Sequence, residues 1–283
     1  MKHIQKIIVP TDFSESSSRA FSYALWFADR VGASIDLLHI VYPGTDVMDF
    51  PAMAAQVTKV QVETAQQVMQ AFTNEALTRL QSTTDFEHVP VVRPRVDVGT
   101  PATLVSALAK ELESDLVVMG TRGEHNRLEV AFGSVTTAIL KRSPVPVLVV
   151  PSELDAIQIK TLGYATSLDE SDPYHIWQAA QMLSPFNAFL KIVHVRTSFD
   201  DKKNIDLPAL ETFLAGKDLA LQVSFHESTD TDIEEGLENF VSLHKVDLLI
   251  MYSPKRNVFE RIGHRSLTRK MALFSHIPIL VMK

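Results

Sequence analysis

The sequence predicts an α/β protein built from two domains in tandem, each a five-stranded, mainly parallel sheet flanked by helices. Short β-rich runs alternate with helical patterns along the first half. Segments of the first half recur in the second half. The length of 283 residues suits two domains of about 140 residues each. The predicted domains span residues 1–151 and 157–283.

Five strands are predicted in the first half, and each is a short run rich in β-branched and aliphatic residues. The runs are residues 4–9, 35–41, 89–96, 116–119 and 145–150. Because helical patterns lie between them, we expect a parallel sheet that is covered on both faces.

Three helices are predicted between these strands. Residues 17–31 place Phe21, Leu25 and Ala28 on one face. Pro101 suits the first turn of a helix that runs to about Leu112. A long helix is indicated over residues 53–80 by apolar residues close to helical spacing, which are Val57, Val60, Val68, Phe72 and Leu80.

The second half repeats segments of the first. ASIDLLHIV at 33–41 matches AFLKIVHV at 188–195, which aligns His39 with His194. Two further matches share an offset of 132 residues without a gap: 114–120 with 246–252, and 143–150 with 275–282. A fixed register of this kind indicates an internal duplication. The connection between the second and third strands is shorter here, with one helix predicted at 207–214.

Composition excludes several classes of function. The net charge of −7 argues against nucleic acid as a partner, because phosphate backbones need a basic surface. The absence of cysteine excludes disulfides, thiolate metal sites and cysteine nucleophiles. No segment has the 18 or so apolar residues of a membrane span, and no signal peptide is recognisable. We therefore expect a cytoplasmic protein without a membrane partner.

One glycine pattern indicates a phosphate-binding loop. Three of the ten glycines form Gly120-x2-Gly123-x9-Gly133-Ser134, between a buried strand and a helix. Glycines let phosphate oxygens approach backbone N–H groups, and a helix N-terminus adds further N–H donors. The alternative is that these glycines only make turns and a helix cap, since such patterns are weak without context.

The chain resembles the universal stress protein family. The resemblance rests on VPTDFSE at 9–15, LLHIV at 37–41, the glycine loop and PVPVLVV at 144–150. It covers residues 1–151 and, more weakly, 157–283. It implies Rossmann-like domains of the adenine nucleotide alpha hydrolase type, and the glycine spacing is that of the family's ATP-binding branch.

The resemblance also implies an ATP site in the first domain. Pro10, Thr11 and Asp12 should lie against adenosine and Ile40 against adenine. Ribose and phosphates are assigned to the glycine loop and its flanks, which comprise Met119, Gly120, Arg122, Gly123, Gly133, Ser134, Val135 and Thr136. Arg122 is either a phosphate ligand or a solvated loop residue. The implied cofactor is ATP, alone or with Mg²⁺, and no catalytic or metal-ligating residue is predicted.

The second domain is expected to have lost this site. At the offset of 132, Gly120, Gly123 and Gly133 become Tyr252, Lys255 and Arg265, and Ser134 becomes Ser266; Ser167 replaces Asp12. A tyrosine there should place bulk where the backbone must approach ribose. A basic cluster follows, which is either an anion or partner site or a solvated surface: Lys255, Arg256, Arg261, Arg265, Arg269 and Lys270.

Three functions remain open from the sequence. The first is an ATP-binding stress-response regulator with an unidentified protein partner. The second is a weak ATP hydrolase or phosphotransferase that uses His125 or Glu124 as a base, and the third is a nucleotide-free scaffold. The apolar fifth strands predict a pseudo-dimer within the chain, through residues 145–150 and 278–282. Whether two chains also form a homodimer stays open.

Overall fold

The structure is a computed structural model and describes residues 3–42, 51–83, 86–121, 132–154, 156–197, 205–217, 219–252 and 276–283. The chain divides into two compact units, with the boundary between Ser152 and Glu153. Among the described residues, no helix is both long enough and apolar enough to cross a membrane.

The first unit contains a five-stranded parallel sheet. Its strands are β1 (Lys6–Thr11), β2 (Ser34–Val41), β3 (Val92–Val98), β4 (Leu116–Gly120) and β5 (Val147–Val150). They lie side by side in the order β3-β2-β1-β4-β5. All four neighbouring pairs are parallel. The predicted α/β class is confirmed.

Four helices flank this sheet, namely α1 (Glu15–Val31), α2 (Pro51–Thr83), α3 (Pro101–Glu111) and α4 (Ser134–Arg142). Helix α1 begins where the Ser14 hydroxyl accepts from the amide of Ser17, and it ends at Gly32 in the left-handed conformation. The predicted face of Phe21, Leu25 and Ala28 is fully buried, as the helical spacing required.

The second unit has the same strand order. Its elements are β6 (Thr161–Ala165), α5 (Asp172–Leu183), a 3₁₀ turn (Ser184–Phe186), β7 (Phe189–Arg196), α6 (Leu207–Ala215), β8 (Gln222–Thr229), α7 (Ile233–His244), β9 (Leu248–Tyr252) and β10 (Ile279–Met282). The strands lie in the order β8-β7-β6-β9-β10, again with parallel neighbours. The helix predicted at 207–214 is α6.

The two units also share a carboxylate anchor at the amino end of the first strand. In the first unit the Asp115 carboxylate accepts from the amide of Lys6 at 3.2 Å. In the second unit the Asp247 carboxylate accepts from the amide of Thr161 at 2.8 Å. Each aspartate directly precedes the fourth strand of its unit, so this contact sets the register between first and fourth strands.

The helix predicted at 53–80 is α2, but three of the valines that indicated it are exposed. The spacing grouped three valines with Phe72, but Val57, Val60 and Val68 are 39%, 51% and 41% exposed. The buried positions are instead Ala65, Met69, Thr73 and Ala76. Val57 and Val68 lie roughly a third of a turn from this face, and Val60 lies about half a turn from it. Two of the buried residues are alanines, which carry little weight in an apolar pattern.

The different exposures of Met69 and Val60 predict that truncating them changes the free energy of unfolding by unequal amounts. Met69→Ala should lower the free energy of unfolding of the first unit by about 2–5 kcal/mol, because it removes a side chain that is 1% exposed. Val60→Ala, at 51% exposure, should change it by less than about 0.5 kcal/mol. Urea unfolding followed by Trp26 fluorescence measures both. Equal losses of unfolding free energy in the two variants would contradict this assignment, because they would show that Val60 is packed as tightly as Met69.

Candidate functional site

The candidate site of the first unit lies at the carboxyl ends of β1 and β4. Strand β1 pairs with β2 on one side and with β4 on the other, both in parallel. The chain therefore reverses its direction of progress across the sheet between β1 and β4. In open α/β sheets, ligands bind in the crevice that such a reversal leaves outside the strand ends.

A polar turn leads from β1 into α1 at this edge. The buried Thr11 hydroxyl accepts from the amide of Phe13 and donates to the Ser17 hydroxyl, both at 3.0 Å. The exposed Asp12 carboxylate accepts from the amide of Ser14 at 3.1 Å and from its hydroxyl at 2.6 Å. Asp12 is thus held at the solvent side of the turn, while Thr11 faces the interior.

An aromatic cluster supports this turn, and the sequence analysis did not identify it. Phe13 has a φ of 64°, an uncommon conformation for a bulky side chain. Its ring stacks on His39 at 4.3 Å and meets the edge of Phe72 at 5.5 Å. His39 donates from Nδ1 to the Thr11 carbonyl at 2.8 Å, since a carbonyl only accepts. The signal available was the aromatic residue directly after Asp12.

Gly120, at the end of β4, packs against the first turn of α1. A Cβ atom at this position would lie 2.6 Å from the Ser16 hydroxyl oxygen and 3.1 Å from the Ser16 carbonyl oxygen. Its missing side chain therefore allows helix and strand to approach. The family resemblance assigns Gly120 to contact with ribose and phosphate. The close contact with Ser16 is by itself sufficient to require a glycine at this position.

The N-terminus of α4 lies at the same edge of the sheet. The Thr136 hydroxyl donates to the Gly120 carbonyl at 3.1 Å, which joins the first turn of α4 to the end of β4. The amide of Gly133 donates to the Thr121 carbonyl at 2.9 Å. Gly133 is the N-cap and provides no side-chain hydrogen bond to the helix. Within the part of the chain that the structure describes, the first-turn N–H groups at the exposed residues Ser134 and Val135 therefore have no capping side chain.

The structure distributes the remaining predicted residues as follows. Pro10 and Ile40 are half-buried and Met119 is buried, each at or near the carboxyl end of its strand. Arg122 and Gly123 lie outside the described residues, as do Glu124, His125 and Arg127. Among the described residues, no group of three or more side chains is arranged to hold a metal ion.

The second unit contains the same turn with a different polar partner. The Thr166 hydroxyl accepts from the amide of Leu168 at 3.0 Å, and Leu168 has a φ of 58°. His194 donates from Nδ1 to the Thr166 carbonyl at 3.2 Å. The hydroxyl of Thr166 donates to the Asp172 carboxylate at 2.6 Å. Asp172 follows Thr166 by six residues, as Ser17 follows Thr11, so a buried carboxylate replaces a buried hydroxyl.

Burial changes the acid–base chemistry of this region. Asp172 is 1% exposed, and burial raises its pKa, although the bonds from Thr166 and the amide of Asp169 oppose that rise. Burial also raises the pKa of Tyr164 well above its ordinary value, and the Asp172 charge adds to this. Both side chains are therefore stabilised in their protonated forms.

Tyr252, which replaces Gly120, packs against a side chain of α5. Its ring stacks on His175 of α5 at 3.5 Å with an interplanar angle of 17°. The tyrosine thus lies against the helix that corresponds to α1, on the side where Gly120 meets Ser16. Burial lowers the pKa of His175, and the Asp172 carboxylate opposes that shift. Lys255, Arg265, Ser266 and the rest of the basic cluster lie outside the described residues.

Comparison with known proteins finds one family. The sequence profile described as "Universal stress protein family" matches residues 3–151. A universal stress protein of Methanocaldococcus jannaschii is 29% identical over 152 residues, which are 52% of this chain and 94% of that protein. A second one from the same organism is 28% identical over 146 residues, which cover 52% of this chain and 81% of the relative.

A solved structure extends the similarity in fold to both units. The crystal structure of a universal stress protein from Archaeoglobus fulgidus matches 98% of this chain and 96% of its own, with a TM-score of 0.71. The sequence identity is 18%, so this comparison concerns the fold alone.

The packing of Gly120 predicts a loss of stability that requires no ligand. Gly120→Ala should lower the free energy of unfolding of the first unit by about 1–3 kcal/mol, because its Cβ overlaps Ser16. Adding Ser16→Ala should restore part of the loss, since the buried Ser16 hydroxyl forms no hydrogen bond with any residue that the structure describes. Urea unfolding without nucleotide measures this.

Gly216→Ala is the matched control for this prediction. The nearest atom to its added Cβ lies at 3.7 Å, an ordinary contact, so stability should change little. A Gly120→Ala protein with unchanged stability would show that Gly120 is not required for packing.

The buried His175 predicts a pH dependence for the stability of the second unit. Its folded pKa lies below the ordinary 6.5, so protons bind the unfolded chain more readily. The contribution of His175 to the free energy of unfolding is fully present above pH 6.5. It is lost as the pH falls through the pKa of the folded state. His175→Phe keeps a ring against Tyr252 and should remove this decrease. The raised pKa of Asp172 acts in the opposite direction, because its contribution is lost as the pH rises.

Trp177 on α5 reports this unfolding directly when Trp26, the other of the two tryptophans, is replaced by phenylalanine in every protein compared. His88→Gln, at an exposed histidine of the first unit, is the control and should keep the decrease. An identical pH profile for the His175→Phe protein would contradict the assignment.

Proposed function

The chain belongs to the universal stress protein family, and we propose that it is an ATP-binding, stress-response regulator of the cytoplasm whose first unit holds the nucleotide. We further propose that its domains are residues 1–151 and 157–283, two copies of one ancestral unit. Nucleotide occupancy would change a surface that a protein partner recognises. The second unit would contribute no ATP site.

The observation that carries this proposal is the N-terminus of α4. No side chain among the described residues caps its first-turn N–H groups, and Thr136 joins that turn to the end of β4. A helix N-terminus presents N–H donors and the positive end of the helix dipole, which together favour phosphate. The placement at the reversal of strand order adds the crevice that a nucleotide requires.

Asp12 supports the adenosine end of the proposed site. Its carboxylate is exposed at the carboxyl end of β1, and Ser14 holds it there through two hydrogen bonds. A fixed carboxylate suits the hydroxyl and amino donors of adenosine, because hydrogen bonds to a charged acceptor are stronger than neutral ones. The aromatic support of Phe13 by His39 and Phe72 keeps the turn in one conformation before any ligand binds.

The second unit supports the asymmetry of the proposal. Ser167 stands at the position of Asp12 and removes the charge. Tyr252 and His175 form a stacked pair where the first unit has Gly120. We propose that ATP and, with it, any Mg²⁺ bind only to the first unit, through the residues assigned from the sequence.

Two substitutions at one position test the role of the backbone N–H groups. Ser134→Ala removes only the hydroxyl, whereas Ser134→Pro removes the hydroxyl and the N–H. Proline is tolerated in the first turn of a helix, and the extended conformation of Gly133 (φ −62°, ψ 163°) suits the residue before proline. We expect Ser134→Pro to weaken ATP binding by about tenfold or more beyond Ser134→Ala, measured by isothermal titration calorimetry with and without Mg²⁺.

Inorganic triphosphate separates the two ends of the site. Its affinity should fall in the same order across the Ser134 variants as that of ATP. Asp12→Asn should lower the affinity for ATP and leave the affinity for triphosphate unchanged, since asparagine keeps the oxygen that accepts from Ser14. Unchanged ATP affinity in the Ser134→Pro protein, with an intact fold, would reject the proposed site. Steady release of ADP would instead favour the hydrolase.

A further inference from the structure

A second group of cationic side chains lies in the second unit, away from the strand-end crevice. In the β7–β8 pairing, Lys191 lies opposite Ser224, and Val193 opposite His226. Alternate residues of a strand share a face, so Lys191, Ser224 and His226 lie on one face of the sheet. Helix α7 covers that face and places His244 beside them. We call Lys191, Ser224, His226 and His244 the histidine–lysine cluster.

The members of the cluster are close enough to act on one ligand. The rings of His226 and His244 are 4.5 Å apart between centroids, and the Ser224 hydroxyl lies 2.9 Å from Nε2 of His226. Phe240 packs under both rings, at 5.7 Å and 4.7 Å. All four members of the cluster are half-buried, so they are ordered by packing and still accessible to solvent.

Among the described residues, the charged groups that shift the pKa values of the two histidines are basic side chains. Burial lowers the pKa of His226, and the charges of His244 and Lys191 lower it further. Burial also lowers the pKa of His244, with Lys191 adding to the effect. Within the part of the chain that the structure describes, no carboxylate from β7, β8 or α7 acts to raise either pKa.

The first unit is neutralised at the equivalent place. The residue that corresponds to Lys191 is Asp36, and the strand register sets it opposite Arg93. The position of His226 is taken by Arg95, which forms an ion pair with Asp97 at 2.5 Å. The second unit has thus replaced an acid by a lysine, and the arginines by a serine and a histidine. Basic side chains that lack a neighbouring acid among the described residues suit the binding of an anion.

We propose that the histidine–lysine cluster binds a small tetrahedral oxyanion of the phosphate class. The Lys191 ammonium and the protonated His244 imidazole supply charge-assisted hydrogen bonds to its oxygens. Protonated His226 donates from Nε2 to the Ser224 hydroxyl oxygen, which directs the hydroxyl proton toward the anion. The anion removes the mutual repulsion of the cations, so proton binding and anion binding strengthen each other. This site is independent of ATP binding in the first unit.

Sulfate is the sharpest first probe, because its charge does not change between about pH 5.5 and about pH 7.5, where histidine titrates. The full chain is titrated with sodium sulfate at constant ionic strength, and the histidine ring resonances are followed by NMR. We expect the resonances of His226 and His244 to shift together, with affinity at the lower pH at least about tenfold higher. Their pKa values should rise at saturating sulfate.

Two further ligands identify the chemistry. Inorganic phosphate and a phosphate monoester should compete with sulfate for the same resonances, and the tighter of the two indicates whether the natural ligand is a free anion or an ester. Zn²⁺ is the contrasting probe. Preferential binding of Zn²⁺ by the two imidazoles, with no response to sulfate, would overturn the proposal in favour of a metal site.

Substitutions assign the effect to the cluster. Lys191→Met keeps the length of the side chain and should weaken sulfate about tenfold; His226→Gln and His244→Gln should remove the pH dependence. Lys217→Met, at an exposed lysine that lies over the Phe213 ring, and His88→Gln in the first unit are the matched controls and should change neither. Sulfate binding that is independent of pH and insensitive to Lys191→Met would reject the site.

Discussion

In both units the chain turns from the first strand into the first helix around one buried threonine hydroxyl. That hydroxyl accepts from an amide two residues later, at 3.0 Å in each unit, and donates to a buried side chain six residues later. The residue that donates this amide, Phe13 or Leu168, has a positive φ, a conformation that costs free energy for a bulky side chain. The rest of the site depends on this turn, because it fixes where Asp12 or Ser167 emerges at the edge of the sheet.

Periodicity and repetition in the sequence were sufficient to predict the α/β class, the first-unit strands to within a few residues, and the start of α4 after Gly133. They failed where packing selects among equivalent patterns. The valines of α2 have helical spacing and still lie outward, while Ala65, Met69, Thr73 and Ala76 are buried. The stack of Phe13 on His39 joins residues distant in sequence, and no local pattern contains that information.

The glycines show a second limit of reading chemistry from spacing. A phosphate loop and a tight helix–strand contact both require a missing side chain, and Gly120 satisfies the second requirement through Ser16. Glycine at position 120 is therefore weaker evidence for a bound nucleotide than the spacing of the motif suggests. The N-terminus of α4, which no side chain of the described residues caps, is the stronger indication, because N–H groups at the start of a helix need water or a ligand where no side chain meets them. Sequence alone does not distinguish these two kinds of evidence.

The differences between the units follow from keeping this turn while changing what surrounds it. The second unit places the Asp172 carboxylate where Ser17 lies, and its raised pKa shows that burial outweighs the hydrogen bonds that favour its charge. Tyr252 then closes the space against α5 by stacking on His175. Polar groups that could meet a ligand in the first unit are thus directed into the protein in the second. At the histidine–lysine cluster the change has the opposite direction, since acids and arginines of the first unit give way to a lysine and a histidine, which in the proposed site would bind an external anion. Neither change disturbs the threonine turn or the carboxylate anchor at the first strand, so both units keep the same turn and the same contact between first and fourth strands.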